Sequence, residues 1–500
     1  MPKSKHPIPE TAAAIDLGSN SFHMIVARLT DGVPTIIDKI KESVRLGNGL
    51  DNEGNLCNES KQRALDCLKR FGQRLQDMPP GSVRAVGTNT LRNTNNAKDF
   101  LIEAEQALGH PIDIIAGVEE ARLIYLGVAQ SLATDGQQRF VMDIGGGSTE
   151  IIIGQGTSPK WMESLEMGCV SMTRRFFSDG IVTEEKIKAA KLYALVELAP
   201  IAQTVREQGW QQAIGASGSI KSAANVIREM GLNDQGITVD ALDQVIEKIR
   251  EFGALEQVDL PGLNPERTPV FLGGLIILRA TLHVLGIDCL IASEGALREG
   301  LLYDLLGRIH NEDVRSRSVK LLANHYQADA HHAKNVEQTV SYGLDQIADQ
   351  WDIGEEDIQW ARWGAQLHEI GLNIAHSRHH HHGAYIIANA DLAGFSRLEQ
   401  AMLASLVRAH RRKFPNKTLK ELPKRYSKIA KKLAIILRLA VILHRNRSSA
   451  ACPTFTLQAE SKSLHIEFPD QWLEQSPLTQ ADLELEAAHL ANANFQLTFA

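Results

Sequence analysis

Two stretches of this chain match each other at an offset of 127 residues, and the match strongly constrains the fold. Residues 14–27 read AIDLGSNSFHMIVA, and residues 141–154 read VMDIGGGSTEIIIG, with Asp16 aligned to Asp143. Each stretch has an apolar β-prone run, an aspartate, a glycine-containing turn and a second apolar run. This pattern predicts a β-hairpin. The duplication therefore predicts two related α/β domains.

The turns of these hairpins offer backbone N–H groups and hydroxyls to an anion. An aspartate beside each turn would repel a bare phosphate, so the pattern favours a phosphate bound together with Mg²⁺. Either hairpin taken singly is better explained as a plain tight turn. Two aligned copies make that explanation weak.

The remaining pattern predicts several domains, since 500 residues are too many for one hydrophobic core. Strand and helix patterns alternate around both hairpins, whereas residues 315–447 are a series of amphipathic helices without a convincing strand. The tail contains strands TFTLQ and LHIEF, a helix opened by Thr479 and a last strand FQLTF. The predicted domain bounds are 1–125, 126–310, 311–450 and 451–500.

Charge is unevenly distributed along the chain. Residues 408–447 carry fourteen Lys or Arg and one acid, a net +13, although the whole chain is −7, so the rest carries −20. A basic segment on an acidic body suits a polyanionic partner. Taken alone, the segment is slightly better explained as a solvated helical face.

Composition excludes several classes of protein. Five scattered cysteines without CxxC spacing favour reduced thiols and exclude a structural zinc–cysteine site. No apolar run approaches the roughly 20 residues of a membrane-spanning helix, and the polar start has no signal-peptide core. The predicted location is the cytoplasm, with the inner face of the cell membrane as an alternative.

Six motifs occur in order: AAIDLGSNSFHM, GVEEARLIY, DIGGGSTE, MGCVS, GASGSIKSA and GALREGLLY. Together they resemble the exopolyphosphatase and guanosine pentaphosphate phosphatase family, in the superfamily of actin, hexokinase and the heat-shock chaperone ATPases. The resemblance covers nearly the whole chain. It implies an α/β fold with two actin-like, ribonuclease-H-type phosphate-binding domains, followed by an all-α HD-like domain and a small α/β C-terminal domain. The helical half looks closer to the long bacterial exopolyphosphatases.

The motif GVEEARLIY contains the candidate catalytic base. Glu119 and Glu120 lie about 100° apart around a helix that begins near Val118, so both cannot face one cleft. From spacing alone, both acids are better explained as partners of the positive helix N-terminus. The resemblance assigns Glu120 the role of orienting and deprotonating the attacking water.

The other predicted site residues hold metal or phosphate. Asp143 and Glu150 end the second glycine turn and are predicted to bind Mg²⁺, which takes few carboxylates plus waters and phosphate oxygens; the alternative is a pair of turn-capping acids. The resemblance implies that Arg92 binds phosphate through two hydrogen bonds from its guanidinium. Lys221 and Arg298 are weaker candidates without an assigned catalytic role. The turn residues predicted to donate to phosphate are Ser19, Asn20, Ser21, Gly145, Gly146, Gly147 and Ser148.

A histidine-rich region suggests a different metal site. The segment LHEIG at 367–371 resembles the His-Asp pair of HD phosphohydrolases, with His332 upstream and His379–His382 downstream. Glu369 replaces the aspartate and moves the carboxylate by about one bond length, which a well-fixed metal cage tolerates poorly. The resemblance also implies that the HD metal set is lacking. His368 and Glu369 are therefore interpreted as structural remnants, and His379–His382 as a solvated loop.

The resemblance and the basic segment predict a homodimeric exopolyphosphatase that removes terminal phosphate from inorganic polyphosphate processively, with Mg²⁺. The alternative within the same chemistry is hydrolysis of guanosine pentaphosphate (pppGpp) to the tetraphosphate. A sugar-kinase-like ATPase would need an adenine pocket that the sequence does not reveal. A non-catalytic polyphosphate or nucleotide sensor is disfavoured because the acids Glu120, Asp143 and Glu150 are all present. Nucleic acid is not an expected partner.

Overall fold

The computed structural model describes residues 9–30, 33–51, 53–79, 81–132, 136–309, 314–447 and 452–500. The chain divides into two compact units, Met1–Asp313 and Val314–Ala500. The sequence predicts a boundary between the second α/β domain and the helical domain at 310/311.

The first half of the first unit is built on a mixed five-stranded sheet. Its elements are β1 Thr11–Leu17, β2 Phe22–Thr30, β3 Val33–Glu42, α1 Asn58–Leu75, β4 Val83–Gly87, α2 Asn89–Arg92, α3 Ala97–Leu108, β5 Ile112–Ile114 and α4 Gly117–Gln130. The strand order is β3-β2-β1-β4-β5, with β1 antiparallel to β2 and parallel to β4. The apolar face of α1 packs beside this sheet because Ala64, Leu68 and Phe71 recur at helical spacing.

The second half repeats this architecture. Its elements are β6 Gln138–Ile144, β7 Thr149–Gln155, β8 Ser158–Leu165, α5 Cys169–Phe176, α6 Glu184–Gln208, β9 Gln212–Ala216, α7 Ser217–Glu229, α8 Val239–Phe252, α9 Thr268–Leu285, β10 Ile291–Ala292 and α10 Leu297–Ile309. The sheet order β10-β9-β6-β7-β8 is the first sheet's order in the corresponding strands. In the two hairpins, Asp16 lies opposite His23 and Asp143 lies opposite Glu150. The predicted pair of hairpins is therefore present in equivalent positions.

Helices α4 and α10 pack together, and they share one core with residues of both sheets, including Val86 and Ile214. The two helices approach so closely that a Cβ atom on Gly300 would collide with the Leu123 carbonyl oxygen. The boundary predicted at 125/126 lies within α4.

Helix α9 is, among the described residues, the one helix long and apolar enough to cross a membrane by length and composition. Of its apolar window, 72% is buried within the structure. Its side chains Leu275, Ile276 and Leu282 belong to the largest core of the first unit. In this structure α9 is a core helix.

The second unit is a helical assembly with a small sheet. Its elements are α11 Val314–His325, α12 Ala330–Trp351, α13 Glu355–Leu367, α14 His379–Asn389, α15 Arg397–Ala409, α16 Asn416–Lys420, α17 Lys424–Leu443, β11 Thr456–Ala459, β12 Ser463–Glu467, α18 Pro477–Ala491 and β13 Gln496–Phe499. The sheet order is β11-β12-β13. Leu457 and Ile466 of this sheet share one core with Val340 and Ile436 of the helices, so the tail packs on the helices rather than around a core of its own.

Two local predictions for this unit are wrong. Helix α18 begins at Pro477, two residues before Thr479, because proline at a first helical position loses no hydrogen bond and has the right φ. The histidines His379–His382 form the first turn of α14 rather than a solvated loop, and the rings of His379 and His380 are buried.

Candidate active site

The two hairpin turns line a common cleft of about 270 Å³ in the first unit. Residues Gly18–Ser21 form one wall and Gly145–Ser148 another. The turns approach so closely that a Cβ atom on Gly146 would lie 2.7 Å from Cβ of Ser19. Any side chain at position 146 would therefore push the walls apart.

The turns present free N–H groups to this cleft. Within the described chain, the N–H groups of Gly146 and Gly147 donate to no protein group, whereas the N–H of Gly145 donates to the Ser148 carbonyl at 2.9 Å. The first helical residues of α7, Ser217 and Gly218, also line the cleft. Helix N-termini and glycine turns bind anions because their N–H groups lack internal partners. Of the predicted phosphate donors, Gly145 thus has its N–H engaged in a hydrogen bond within the turn.

Acidic side chains form the floor of the cleft. Asp16, Glu120 and Asp143 line it, and Glu150 is fully buried beside Asp143 in the hairpin register. Burial and the neighbouring Glu120 raise the pKa of Asp16 to about 8 and that of Asp143 to about 7. Burial, Glu120 and Asp143 together raise the pKa of Glu150 well above its usual range. Each of these acids therefore disfavours the ionised form of its neighbours.

Two atoms of this floor fit a cation. Asp16 Oδ1 and Glu150 Oε2 are buried and have no hydrogen-bond partner among the described residues, while Glu150 Oε1 accepts from Ser164 at 2.8 Å. A buried unsatisfied oxygen costs about 1–3 kcal/mol, and more when charged. A divalent cation at these oxygens would remove that cost. The predicted ligands Asp143 and Glu150 lie opposite each other in the hairpin, but Asp16, Asp143 and Glu150 are not among the described groups whose ligand atoms all lie within 4.8 Å of one another. The fit to the Mg²⁺ that the sequence predicts is therefore partial.

Arg92 and Glu120, predicted to bind phosphate and to activate water, contact each other. Arg92 Nη1 donates to Glu120 Oε2 at 2.7 Å and to the Ile115 carbonyl at 3.0 Å, and both charged side chains are buried. Burial raises the pKa of Glu120, and Arg92 partly opposes the shift. Through this contact the guanidinium of Arg92 positions the Glu120 carboxylate, and the predicted contact of Arg92 with phosphate stays a prediction.

The neighbouring acid Glu119 faces away from the cleft. It accepts from Arg122 Nε at 2.8 Å, and Arg122 also pairs with Asp304. Arg84 joins the same buried network through Asp304. The 100° separation of adjacent helical residues thus divides the two glutamates between a structural network and the cleft.

Four cations line the same cleft: Lys221 and Arg298, which were weaker candidates from the sequence, and Lys41 and Arg267, which the sequence did not single out. Lys221 pairs with Glu294 at 3.0 Å, and Arg298 contacts His23 at 2.8 Å. Burial, followed by the charge of Arg267, lowers the pKa of Lys41. These cations suit a ligand with several negative charges.

The motif around Gly218, where Arg267 packs, is a signal that sequence reasoning could have used. Its guanidinium occupies the space of a side chain at Gly218, and Ser217 adopts a positive φ of 86° at the start of α7. A strained serine beside a glycine, in the motif GASGSIKSA, marks a functional turn. The partner arginine itself carries no local sequence signal.

Two models of one protein family match this chain. The model of the Ppx/GppA phosphatase family matches residues 25–309, and the model of its domain III matches residues 314–487. This chain belongs to the Ppx/GppA phosphatase family. Its membership confirms the resemblance and the predicted fold class, and makes the chain a phosphatase of this family.

Several Ppx/GppA relatives match nearly end to end. A guanosine-5′-triphosphate,3′-diphosphate pyrophosphatase of Aeromonas hydrophila is 40% identical over 475 residues, which are 95% of each chain. A protein of the same name from Vibrio cholerae is 40% identical over 490 residues, 97% of each chain. Among solved structures, the Aquifex aeolicus PPX-GPPA enzyme is 28% identical with a TM-score of 0.50, covering 59% of this chain and 99% of its own. An exopolyphosphatase from Cytophaga hutchinsonii, 24% identical with a TM-score of 0.55 over 60% of this chain and 98% of its own, shares the fold.

Proposed function

We propose that this chain hydrolyses the terminal 5′-phosphoanhydride of guanosine 5′-triphosphate 3′-diphosphate, releasing orthophosphate and the corresponding 5′-diphosphate. The observation that carries this choice is the 40% identity, over 95% of both chains, to a relative that bears the name of this activity. The cleft alone suits the end of any phosphate chain. The sequence favoured polyphosphate, and the relatives favour the guanosine substrate.

The chain's own groups account for the chemistry. The free N–H groups of Gly146 and Gly147 hold oxygens of the terminal phosphoryl group. Glu120 accepts a proton from the attacking water, because its carboxylate lines the cleft and burial raises its pKa above the ordinary value of a glutamate. Arg92 fixes the direction of that carboxylate. Asp143 and Glu150, with Asp16 nearby in the same acidic group, would hold Mg²⁺, which would supply charge neutralisation at the phosphoryl oxygens when bound.

The cationic side of the cleft supports a substrate with more than one phosphate group. Lys41 and Arg267 both line the cleft, and the charge of Lys41 is opposed by Arg267 and favoured by Glu266, so their positive charges face the ligand. The adjacent Arg298 raises the local positive charge further. A guanosine carrying phosphates on both the 5′ and 3′ positions presents such separated charges.

Side-by-side phosphate-release assays test the proposal. The wild-type protein with Mg²⁺ should release phosphate from the guanosine substrate faster than from polyphosphate at equal concentration of chain ends. Glu120→Gln should reduce both rates by about 10²–10⁴-fold, while the exposed Glu256→Gln control should retain wild-type rates. A preference for polyphosphate would contradict the proposed substrate, and full activity of Glu120→Gln would contradict the proposed base.

Exopolyphosphatase activity remains a second candidate, supported by the basic segment of the second unit. Lys424, Arg425 and Lys428 are exposed at the start of α17, and Lys431 is half-buried one turn later. Such a surface binds a polyanion with salt-dependent affinity. Reversing these charges should impair long polyphosphate far more than short; equal loss on both would exclude a chain-binding role. The homodimer, the cytoplasmic location and the membrane association stay predictions.

A further inference from the structure

A second group of metal-ligating side chains lies in the second unit, outside the chemistry described above. It contains His332 at the start of α12 and His368 with Glu369 just after α13. Their ligand atoms all lie within 4.8 Å of one another. We propose that His332, His368 and Glu369 form a binding site for one Zn²⁺ ion.

His368 is prepared as a metal ligand. Its Nδ1 lies 2.7 Å from the Ala365 carbonyl, and since a carbonyl only accepts, Nδ1 carries the proton and Nε2 has a free lone pair. The side chain is 2% exposed, and Nε2 has no hydrogen-bond partner among the described residues. Metal-bound histidines are oriented in this way, by a backbone carbonyl on the other ring nitrogen.

The other two ligands surround that lone pair. Glu369 Oε1 lies 4.0 Å from His368 Nε2 and 3.8 Å from His332 Nε2. The two rings are tilted against each other with centroids 5.3 Å apart. Tetrahedral zinc with ligands at about 2.0–2.1 Å separates its ligand atoms by about 3.3 Å. Glu369 Oε1 therefore needs to move closer to each of the two Nε2 atoms by less than the length of one covalent bond. Side-chain rotation supplies a movement of that size.

The donor set selects the ion. Two imidazoles and one carboxylate are typical zinc ligands and leave a fourth position for water, whereas Mg²⁺ prefers oxygen ligands. This proposal differs from the interpretation of His368 and Glu369 as remnants. That interpretation rested on the length of Glu369 relative to aspartate and on the implied lack of the HD metal set, whereas the structure brings Glu369 Oε1 within 4.0 Å of both imidazoles.

One cation competes with zinc for the site. Arg447 donates to Glu369 Oε1 and, at 3.2 Å, to Asp329. Its side chain is 47% exposed, so it can leave the carboxylate for solvent. Removing this charge should strengthen zinc binding, a result that a purely structural histidine cluster would not give.

Equilibrium dialysis of the full-length, chelator-stripped protein tests the site. Excess Mg²⁺ and an Asp143→Asn background keep zinc from the acidic cleft. The protein should retain one Zn²⁺ that His332→Ala, His368→Gln and Glu369→Gln each bind about 10–100-fold more weakly, and Arg447→Gln should bind it more tightly. Matched controls His331→Ala, at an exposed neighbour, and His381→Ala, in the histidine run, should bind like the parent.

Folding and coordination are followed separately. Circular dichroism identifies a variant that fails to fold, and Glu369→Gln, the most conservative change, keeps the test valid if a histidine variant is lost. Zn²⁺ should raise the melting midpoint of the parent and of the controls but not of Glu369→Gln. Equal zinc affinity in parent and Glu369→Gln, or equal loss in His331→Ala, would overturn the proposal.

Discussion

Replacing Asp143 by asparagine should stabilise the metal-free protein while abolishing phosphate release. Burial and the Glu120 carboxylate raise the pKa of Asp143 from 3.8 to about 7. A carboxyl group with a raised pKa contributes stability that is fully present below the unfolded value and is lost as the pH rises through the folded value. The wild-type protein therefore loses stability between about pH 4 and pH 7 through this group, and the neutral amide does not.

The size of the gain follows from the shift. The pKa differs by about three units between folded and unfolded chains, and each unit corresponds to about 1.4 kcal/mol, so the ceiling is about 4 kcal/mol above neutral pH. Asp143 is only 8% exposed, and solvent screens it little. The pKa values of Asp16 and Glu120 are also raised in this cluster, so the free-energy cost of charging the buried acids is shared among the three residues. A gain of about 2 kcal/mol is expected at about pH 8, falling to about a third of that at about pH 5.

Thermal melting in the presence of a chelator measures this gain. About 2 kcal/mol should raise the melting midpoint by about 4–8 °C at the higher pH, and the exposed Asp77→Asn control should leave it unchanged. Mg²⁺ should stabilise the wild type and not Asp143→Asn. A variant no more stable than wild type, or equally stabilised at both pH values, would refute the claim that Asp143 is a desolvated member of an acidic cluster.

Three further predictions separate structural from functional residues. Glu119→Gln should lower the melting midpoint and leave the phosphate-release rate nearly unchanged, because it breaks a buried ion-pair network worth about 3–5 kcal/mol when one partner is lost. Glu120→Gln should lower the phosphate-release rate; it also removes one partner of the buried Arg92 pair, so the rate rather than the melting midpoint separates the two acids. Equal loss of rate in both variants would contradict their division. Arg438→Leu should destabilise the second unit by a similar amount, measured by urea unfolding, since its carboxylate partner would stay buried and unpaired. Gly146→Ala should reduce phosphate release by at least about tenfold and also lower the melting midpoint, because the added methyl group would lie 2.7 Å from Cβ of Ser19 and displaces it; wild-type activity would show that the wall tolerates displacement.

The duplicated hairpins were predictable because their signal is local. Strand alternation, a glycine turn and an aspartate at each strand end lie within fourteen consecutive residues, so each hairpin can be recognised from its own segment. The 100° rule correctly limited the cleft to one of Glu119 and Glu120, but the resemblance was needed to choose between them. The start of α18 was missed because a proline two residues before Thr479 competes with the capping pattern.

What the sequence determined by itself, then, is the pair of phosphate-binding turns, the α/β alternation and the helical second half, because each depends on residue periods and turn chemistry within a short segment. Only the tertiary structure decided that Arg92 contacts Glu120, that Lys41 and Arg267 line one cleft, and that the rings of His332 and His368 lie side by side. These contacts join residues far apart in sequence, and their geometry is set by how whole elements pack, which a local pattern does not encode.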